Sequence, residues 1–463
     1  MNSTPEQLRF ASIPGCTIRA DFQGGGLSSD FGPLLLKGID RQIGLTERLS
    51  AAISDTRHPG YITHTLHDIL KQRIYQIACG YEDGNDCNTL RHDPVFRLGV
   101  GRKPFDTDDA AGALASGSTI SRLEHAVSSK DIYRFSEALV DQFIAGYATP
   151  PEALVLDIDH SEDAAYGQQP LAFYNHHYQS TCYLPLMIFE GLSGALVAAV
   201  LRPGKRPTGA ENAMILKRVL TRIRTHFPDT QILVRGDGHF STPALMDVID
   251  AMPHTDFIFG LPSNAVINRL AEPAMQRACA LWAEVQTQDV VPDSVRVYEE
   301  FSYAAGSWSK PQRVVQKAEV MALGENPRFV ATSLEAPTPA RIYEDLYCAR
   351  GQAENWIKHL KSDLASDRTS CTTFLANFMR LLEHAGAYVL HQQLRTQALQ
   401  HTALANAQPS SVIAKLFKIA VQVKQFKDRV ILHLPTSCPV KQLLQTVTER
   451  LFVPKPARLL HSP

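Results

Sequence analysis

The stretch Tyr347-Cys-Ala-Arg-Gly-Gln-Ala-Glu-Asn-Trp-Ile-Lys-His-Leu-Lys361 decides how the rest of the chain is read. Placed on a helix at about 100° per residue, Tyr347, Arg350, Glu354, Lys358 and Lys361 fall in one stripe roughly 80° wide. Leu346, Ala349, Ala353, Trp356, Ile357, Leu360 and Leu364 fall in a neighbouring stripe roughly 100° wide, the face such a helix would dock on a core. The polar stripe gathers one acid, three cations and a phenol. By itself this is the composition of a solvated face, with Glu354 and Lys358 as an i,i+4 ion pair. The rest of the chain decides whether it is more.

The chain has 463 residues, enough for two or three folding units. Hydrophobic residues at 44% and charged ones at 20% suit a globular protein with a substantial core. With a formal net charge of -1, any nucleic-acid binding has to rest on local basic faces. The eight cysteines are scattered, with no C-x-x-C and no His/Cys ligand spacing, which argues for reduced thiols and against a zinc site. The start, Met-Asn-Ser-Thr-Pro-Glu-Gln, lacks the pattern of a signal peptide, and no apolar run approaches the roughly 18 residues of a membrane span. The expected setting is the cytoplasm, in association with the nucleoid.

Outward from the signature, the chain divides by pattern. Residues 1–150 read as a mostly helical module behind a loosely ordered arm containing Gly24-Gly25-Gly26, with one helix opening near Ser118 or Ser121, where Ser121-Arg-Leu-Glu124 has a capping-box spacing. Helix-turn-helix DNA binding is one use of such a module, and plain structural helices are another. Proline at 150 and 151 marks a boundary. Strand-like runs at 153–159, 181–189, 195–201, 231–235 and 255–261, with helical periodicity at 210–227 and 243–251, predict an α/β unit with a mixed sheet. It would span 151–265 and resume at 341–400, interrupted by a β-rich insertion over 266–340. Residues 401–463 read as a helical tail.

Three acids stand out in this frame. Asp157 and Asp159, two apart, point to one face of a strand, and Asp237 closes another strand at its carboxyl end. Strand-end acids are also ordinary turn residues. Two of them with Glu354 would form an all-oxygen site suited to Mg²⁺ or Mn²⁺. Two such ions would activate a water or 3′-hydroxyl and stabilise the leaving oxygen in phosphodiester cleavage. No nucleophile elbow or Gly-rich phosphate loop competes with that reading. Residues 202–235 carry eight cations against Glu211 and Asp229, the local basic charge that DNA binding requires.

Tyr347-x2-Arg350-x3-Glu354-x6-Lys361 resembles the signature of the insertion-sequence-4 type of DDE transposases. The stretches Leu156-Asp-Ile-Asp-His-Ser-Glu-Asp-Ala-Ala-Tyr-Gly-Gln-Gln169, Gly80-Tyr-Glu-Asp-Gly-Asn-Asp, Ser118-Thr-Ile-Ser-Arg-Leu-Glu124 and Ala353-Glu-Asn-Trp-Ile-Lys-His-Leu-Lys-Ser-Asp-Leu364 resemble its insertion-sequence-1380 group. The likeness runs from about residue 32 to about residue 390. It implies an RNase H-like core, with helices on both faces of the mixed sheet and a β-rich insertion before the glutamate.

The resemblance also implies a catalytic, metal-binding triad of Asp159, Asp237 and Glu354, with Asp157 as a supporting or alternative first acid. Tyr347, Arg350 and Lys361 would hold terminal phosphates, and Lys358 would be either a further DNA contact or a plain ion pair. Trp308 would either stack on a flipped base or belong to the core. Two Mg²⁺ (or Mn²⁺) ions are the implied cofactors, and double-stranded transposon-end and target DNA the partners, met by a homodimer in a synaptic complex, with no membrane. One departure is visible: relatives often carry Arg-Ala-Asp-Ser-Gly-Phe, whereas this chain has Arg235-Gly-Asp-Gly-His-Phe240. The implied activity is cleavage of donor DNA and joining of 3′-OH ends. A catalytically inactive or domesticated DNA-binding protein, and an RNase H-like nuclease without strand transfer, are the alternatives.

Overall fold

A computed structural model describes residues 7–105 and 112–452; the ends of the expected arm and tail, 1–6 and 453–463, lie outside the described residues. The chain forms two compact units, Met1–Leu123 with Gly386–Pro463, and Glu124–Ala385. Among the described residues no helix is long and apolar enough to cross a membrane.

The second unit is built on one large sheet. Strand Ala153–His160, third from one edge, runs antiparallel to Leu186–Glu190, which is antiparallel to Leu196–Val200. On its other side Gln231–Gly236 runs parallel to it, followed by Thr255–Gly260, again parallel. Numbering these five in chain order gives 3-2-1-4-5, the RNase H-like arrangement. Four of the five lie within two residues of the runs read from the sequence, because each is an apolar run cut off by acids, glycine or proline. Only the run at 181–189 divides, into Ser180–Tyr183 and Leu186–Glu190.

Period-two alternation sorts the two faces. Leu154, Leu156, Ile158, Ile232, Val234, Phe257 and Phe259 point into one core with helices Ser129–Ile144, Gly209–His226 and Pro243–Asp250. Ile258, Val315 and Val330 point the other way, against Ile342 and Tyr343 of the segment leading into the signature. The acids fall on this second face.

The structure adds detail that the sequence reading did not give. The strands of the β-rich stretch join the main sheet: Arg328–Thr332 pairs antiparallel with Thr255–Gly260, and Gln312–Met321 and Ser294–Tyr303 extend the same sheet outward. The stretch also begins with a 21-residue helix, Ala265–Val285, which covers those outer strands through Ala274, Met275 and Ala278. Helix Ser129–Ile144 belongs to the second unit because its apolar stripe is filled by the core, so the division falls before the break at Pro150-Pro151. Of the two openings read near 120, the one near Ser118 matches helix Gly117–Ala126, and Ser121 and Glu124 lie inside it. The capping boxes that form are Ser128 with Asp131 and Thr208 with Glu211.

The first unit packs helices Gly32–Ile43, Leu45–Ala51, Leu66–Ala78, Pro94–Val100 and Lys441–Phe452. Arg73, fully buried, donates to the carbonyls of Tyr81 and Glu82 and so holds the Gly80-Tyr-Glu-Asp-Gly-Asn break in place. Two features differ from the reading of an arm and a helical tail. Leu8–Ile13 and Cys16–Ala20 form an exposed hairpin, and Val421–Gln425 and Val430–His433 form a second hairpin that pairs with Leu27–Ser28.

Candidate active site

The parallel register decides which acid meets what. Arg235 lies opposite Asp157 on the neighbouring strand, so continuing two residues brings Asp159 level with Asp237. Asp157 is fully buried, and Arg235 grips it with two bonds, Nε to Oδ1 at 2.6 Å and Nη2 to Oδ2 at 2.8 Å. Burial pushes the Asp157 carboxyl up while the guanidinium opposes it. The third arm of the guanidinium, Nη1, donates to the Leu346 carbonyl at 2.6 Å. One buried ion pair thereby ties the sheet to the residue before Tyr347. Gly191 is required beside it, since a Cβ there would stand 2.6 Å from Arg235 Nη2 and 2.8 Å from Asp157 Oδ2.

Asp159 sits one layer nearer the rim. Its Oδ2 accepts from Arg350 Nη1 at 3.1 Å and its Oδ1 from the His160 amide at 2.9 Å. Burial drives its carboxyl up to about 6; the charge of Asp237 adds to that rise, and Arg350 opposes it. Asp237 follows the end of its strand and carries His239, whose amide donates to Oδ1 at 2.9 Å and whose Nδ1 lies 3.1 Å from Oδ2. His239 is one of three positions, with Gly236 and Gly238, at which this turn departs from the Arg-Ala-Asp-Ser-Gly-Phe pattern, and the sequence reading assigned it no role. Tyr347 completes the group. Burial raises its phenol and Arg350 opposes that rise, with the guanidinium 6.0 Å from the ring centroid. A Cβ on Gly260 would stand 2.7 Å from the Tyr347 hydroxyl and 2.9 Å from the Gly238 amide, so that glycine permits the phenol and the Asp237 turn to converge.

Glu354 behaves differently from the single-helix expectation. The segment opens with wide i→i+5 turns over Arg341–Tyr347, tightens to 3-10 geometry over Cys348–Gly351, is α-helical over Gln352–Lys358, and widens again over His359–Asp363. Each change of winding rotates the side chains, so a stripe drawn at one pitch does not run through. Tyr347 and Arg350 turn in toward the acids, while Glu354 and Lys358 are exposed. Among the described residues no three His, Cys, Asp or Glu side chains are gathered as a metal group. The helix itself is firmly seated: Trp356 packs on Phe189 with centroids 5.7 Å apart and lies so close to Gly194 that a Cβ there would meet its indole nitrogen at 2.7 Å.

Lys361 donates to the Glu162 carbonyl and lies 3.9 Å from Asp163 Oδ1. Asp163 is fully buried, neither of its oxygens has a hydrogen-bond partner, and burial raises it to about 8 against the pull of Lys361. Trp308 is half-buried on the main core, edge-on to Tyr303 at 5.2 Å. Its neighbours Ser309 and Lys310 bind Asp247 and Asp250 of helix Pro243–Asp250.

The basic run at 202–235 also needs correction as a DNA footprint. Arg202 pairs with Glu211, Arg222 with Asp141, and Arg235 with Asp157, while Arg224 donates to the carbonyls of Phe227, Pro228 and Thr230. Half of the eight cations are therefore spent on internal structure, which a count of charges cannot reveal.

As a cation site, the pair Asp159 and Asp237 offers only oxygen donors; burial raises Asp159 most and the charge of Asp237 adds to it, a repulsion that a hard cation between them would offset. The chemistry of this donor set fits Mg²⁺ or Mn²⁺.

The family model described as "Transposase DDE domain group 1" matches residues 10–455. Among solved structures, the chain is similar to one described as "Cryo-EM structure of piggyBac transposase synaptic complex with hairpin DNA (SNHP)". The TM-score is 0.43 at 13% identity, over 92% of this chain and 83% of that one. No curated protein matches the chain in sequence.

Proposed function

Since its model matches residues 10–455, the chain belongs to the transposase DDE domain group 1 family, and on that premise we propose that it is an insertion-sequence transposase of the 1380 group. It binds the inverted-repeat ends of its element, cleaves donor DNA there, and joins the freed 3′-OH to target DNA as a homodimer holding two ends. The observation that carries this reading is the level pair Asp159 and Asp237 at the ends of parallel strands, with Arg350 3.1 Å from Asp159 and Tyr347 beside the Asp237 turn.

Asp159 and Asp237 are the residues that would hold Mg²⁺ or Mn²⁺, with Glu354 joining them only by turning in from its exposed position; bound there, the metal would supply activation of the attacking hydroxyl and stabilisation of the leaving oxygen. Asp157 acts through Arg235 to set the entry of the signature segment. Arg350 and Tyr347 bind and orient the terminal phosphate, the guanidinium by charge-assisted hydrogen bonds. Lys361, and Lys358 from its exposed position, add phosphate contacts further along the end. Trp308 is read as a core residue.

The test is Mg²⁺-dependent cleavage and 3′-OH joining on DNA carrying the repeats that flank the coding sequence. Asp159→Asn, Asp237→Asn and Glu354→Gln should each abolish both steps while leaving end binding in place. Cleavage by any of the three at the parent rate would defeat the assignment.

A further inference from the structure

Beside the two acids stands a small sheet of Asp163–Ala164, Ser180–Tyr183 and Phe173–Asn175, none of whose chemistry the proposed reaction uses. The tip of the hairpin formed by Phe173–Asn175 and Ser180–Tyr183 reads Tyr174-Asn-His-His-Tyr178, four rings in five residues. All four are exposed, Tyr174 by 57% and Tyr178 by 37%. Such a density of exposed rings gives up hydrophobic burial, so it calls for a partner.

The tip is shaped in advance. Asn175 Oδ1 accepts from the amides of His177 and Tyr178, and Gln179 reverses the chain at a φ of +54°. The rings meet edge-on in pairs, Tyr174 with His176 at 5.1 Å and His177 with Tyr178 at 4.7 Å. This shape is carried to the reaction centre. His177 lies edge-on to His239 at 6.4 Å, and His239 is bonded to Asp237. The charges of Asp159, Glu162 and Asp237 all act on the Tyr178 phenol, after burial, which shifts it most.

Cations flank the rings. The loop bearing Lys205 and Arg206 is pressed onto the hairpin at Gly204, where a Cβ would stand 1.9 Å from the Cys182 carbonyl, and Asn175 Nδ2 donates to the Gly204 carbonyl. Lys205 lies over the Phe173 ring at 4.4 Å, and both cations are exposed. Exposed rings interleaved with cations are what single-stranded nucleic acid requires: flat faces for any base and charge for its backbone.

We propose that the hairpin tip Tyr174–Tyr178, with Lys205 and Arg206, is a stacking platform for unpaired bases of a DNA strand end delivered to Asp159 and Asp237. That the strand is one about to react rests on the transposase reading; the platform itself rests on the rings and cations. Tyr174 and Tyr178 supply the stacking faces, and Lys205 and Arg206 hold the adjoining phosphates.

The test is fluorescence anisotropy of the full chain with labelled 15-nucleotide oligothymidylate and, separately, a blunt duplex, in parallel with cleavage of end-bearing DNA. Tyr174→Ala and Tyr178→Ala should each weaken single-strand binding roughly tenfold. Tyr174→Phe and Tyr178→Phe should retain it, and duplex binding should hold throughout. Unchanged single-strand binding in folded alanine variants, equal losses on both probes, or no oligothymidylate binding by the parent would overturn the proposal. Should an alanine variant fail to fold, Tyr→Leu, which keeps apolar bulk without a ring face, decides by the same criteria. Oligothymidylate binding without metal-dependent cleavage would overturn the transposase reading alone; parent cleavage with indifferent tyrosine variants would overturn the platform alone.

Discussion

Asp157→Asn should cost far more stability than Asp159→Asn, although the two acids share one strand and one face. Asp157 is 0% exposed and Arg235 2%, so removing the carboxylate charge strands a buried guanidinium. Breaking a buried ion pair from one side costs about 3–5 kcal/mol. Asparagine keeps an acceptor for one of the two lost bonds, which places the expectation near the lower end, about 3 kcal/mol. That is roughly a hundredfold in the folded-to-unfolded ratio. With a urea slope on the order of 3 kcal/mol per M, the midpoint moves down by about 1 M. Trp282, Trp308 and Trp356, the chain's three tryptophans, all lie in the unit that holds Asp157, so intrinsic fluorescence during urea unfolding reports on the right part of the molecule. Asp159→Asn loses a single 3.1 Å contact with a partly exposed Arg350 and also removes the repulsion between Asp159 and Asp237, so its midpoint should stay close to the parent's. A parent-like midpoint for Asp157→Asn, or a larger loss for Asp159→Asn, would refute the division into a lower brace and an upper ligand.

Gly260→Ala should cost about 1–3 kcal/mol and most of the cleavage activity, because its Cβ meets the Tyr347 hydroxyl and the Gly238 amide, and the second neighbour is backbone that cannot swing aside; urea unfolding and the cleavage assay read the two effects. Trp356→Ala should cost about 3–5 kcal/mol by the same unfolding assay followed by circular dichroism, since the indole fills the contact between the Glu354 helix and Phe189. Asp163 carries a pH signature. Its folded value of about 8 lies above the ordinary unfolded carboxylate range, so the folded state holds a proton the unfolded state has lost, and stability falls as pH rises from about 4 toward 8. Asp163→Asn should flatten that slope in unfolding measured across this range and be the more stable protein at pH 8; an unchanged slope would show that Asp163 is ionised in the fold.

Much of the second unit is legible in the sequence because its strands are buried apolar runs ended by glycine, proline or acids. What is not legible has local physical causes. The strands Asp163–Ala164, Phe173–Asn175 and Ser180–Tyr183 are two to four residues long, too short for alternation to register. Helix Ala265–Val285 contains Pro273, a residue that in a sequence marks the end of a helix, and buries only a narrow row on the outer strands. The signature segment reads as one helix because periodicity analysis assumes one pitch, and its changes of winding leave no mark in residue type. The choice between Asp157 and Asp159 is different, for its evidence was present in the letters. Asp157-Ile-Asp159 and Arg235-Gly-Asp237 have the same spacing. Once the two strands are known to be parallel, leveling Asp159 with Asp237 sets Asp157 against Arg235, opposite charges below and like charges at the rim. A buried layer demands the neutral pair, and only the rim, open to a cation or a phosphate-bound metal, can sustain the repulsive one. The order of the two layers therefore follows from electrostatics once the register is known, and the register is the one fact that the linear sequence does not state.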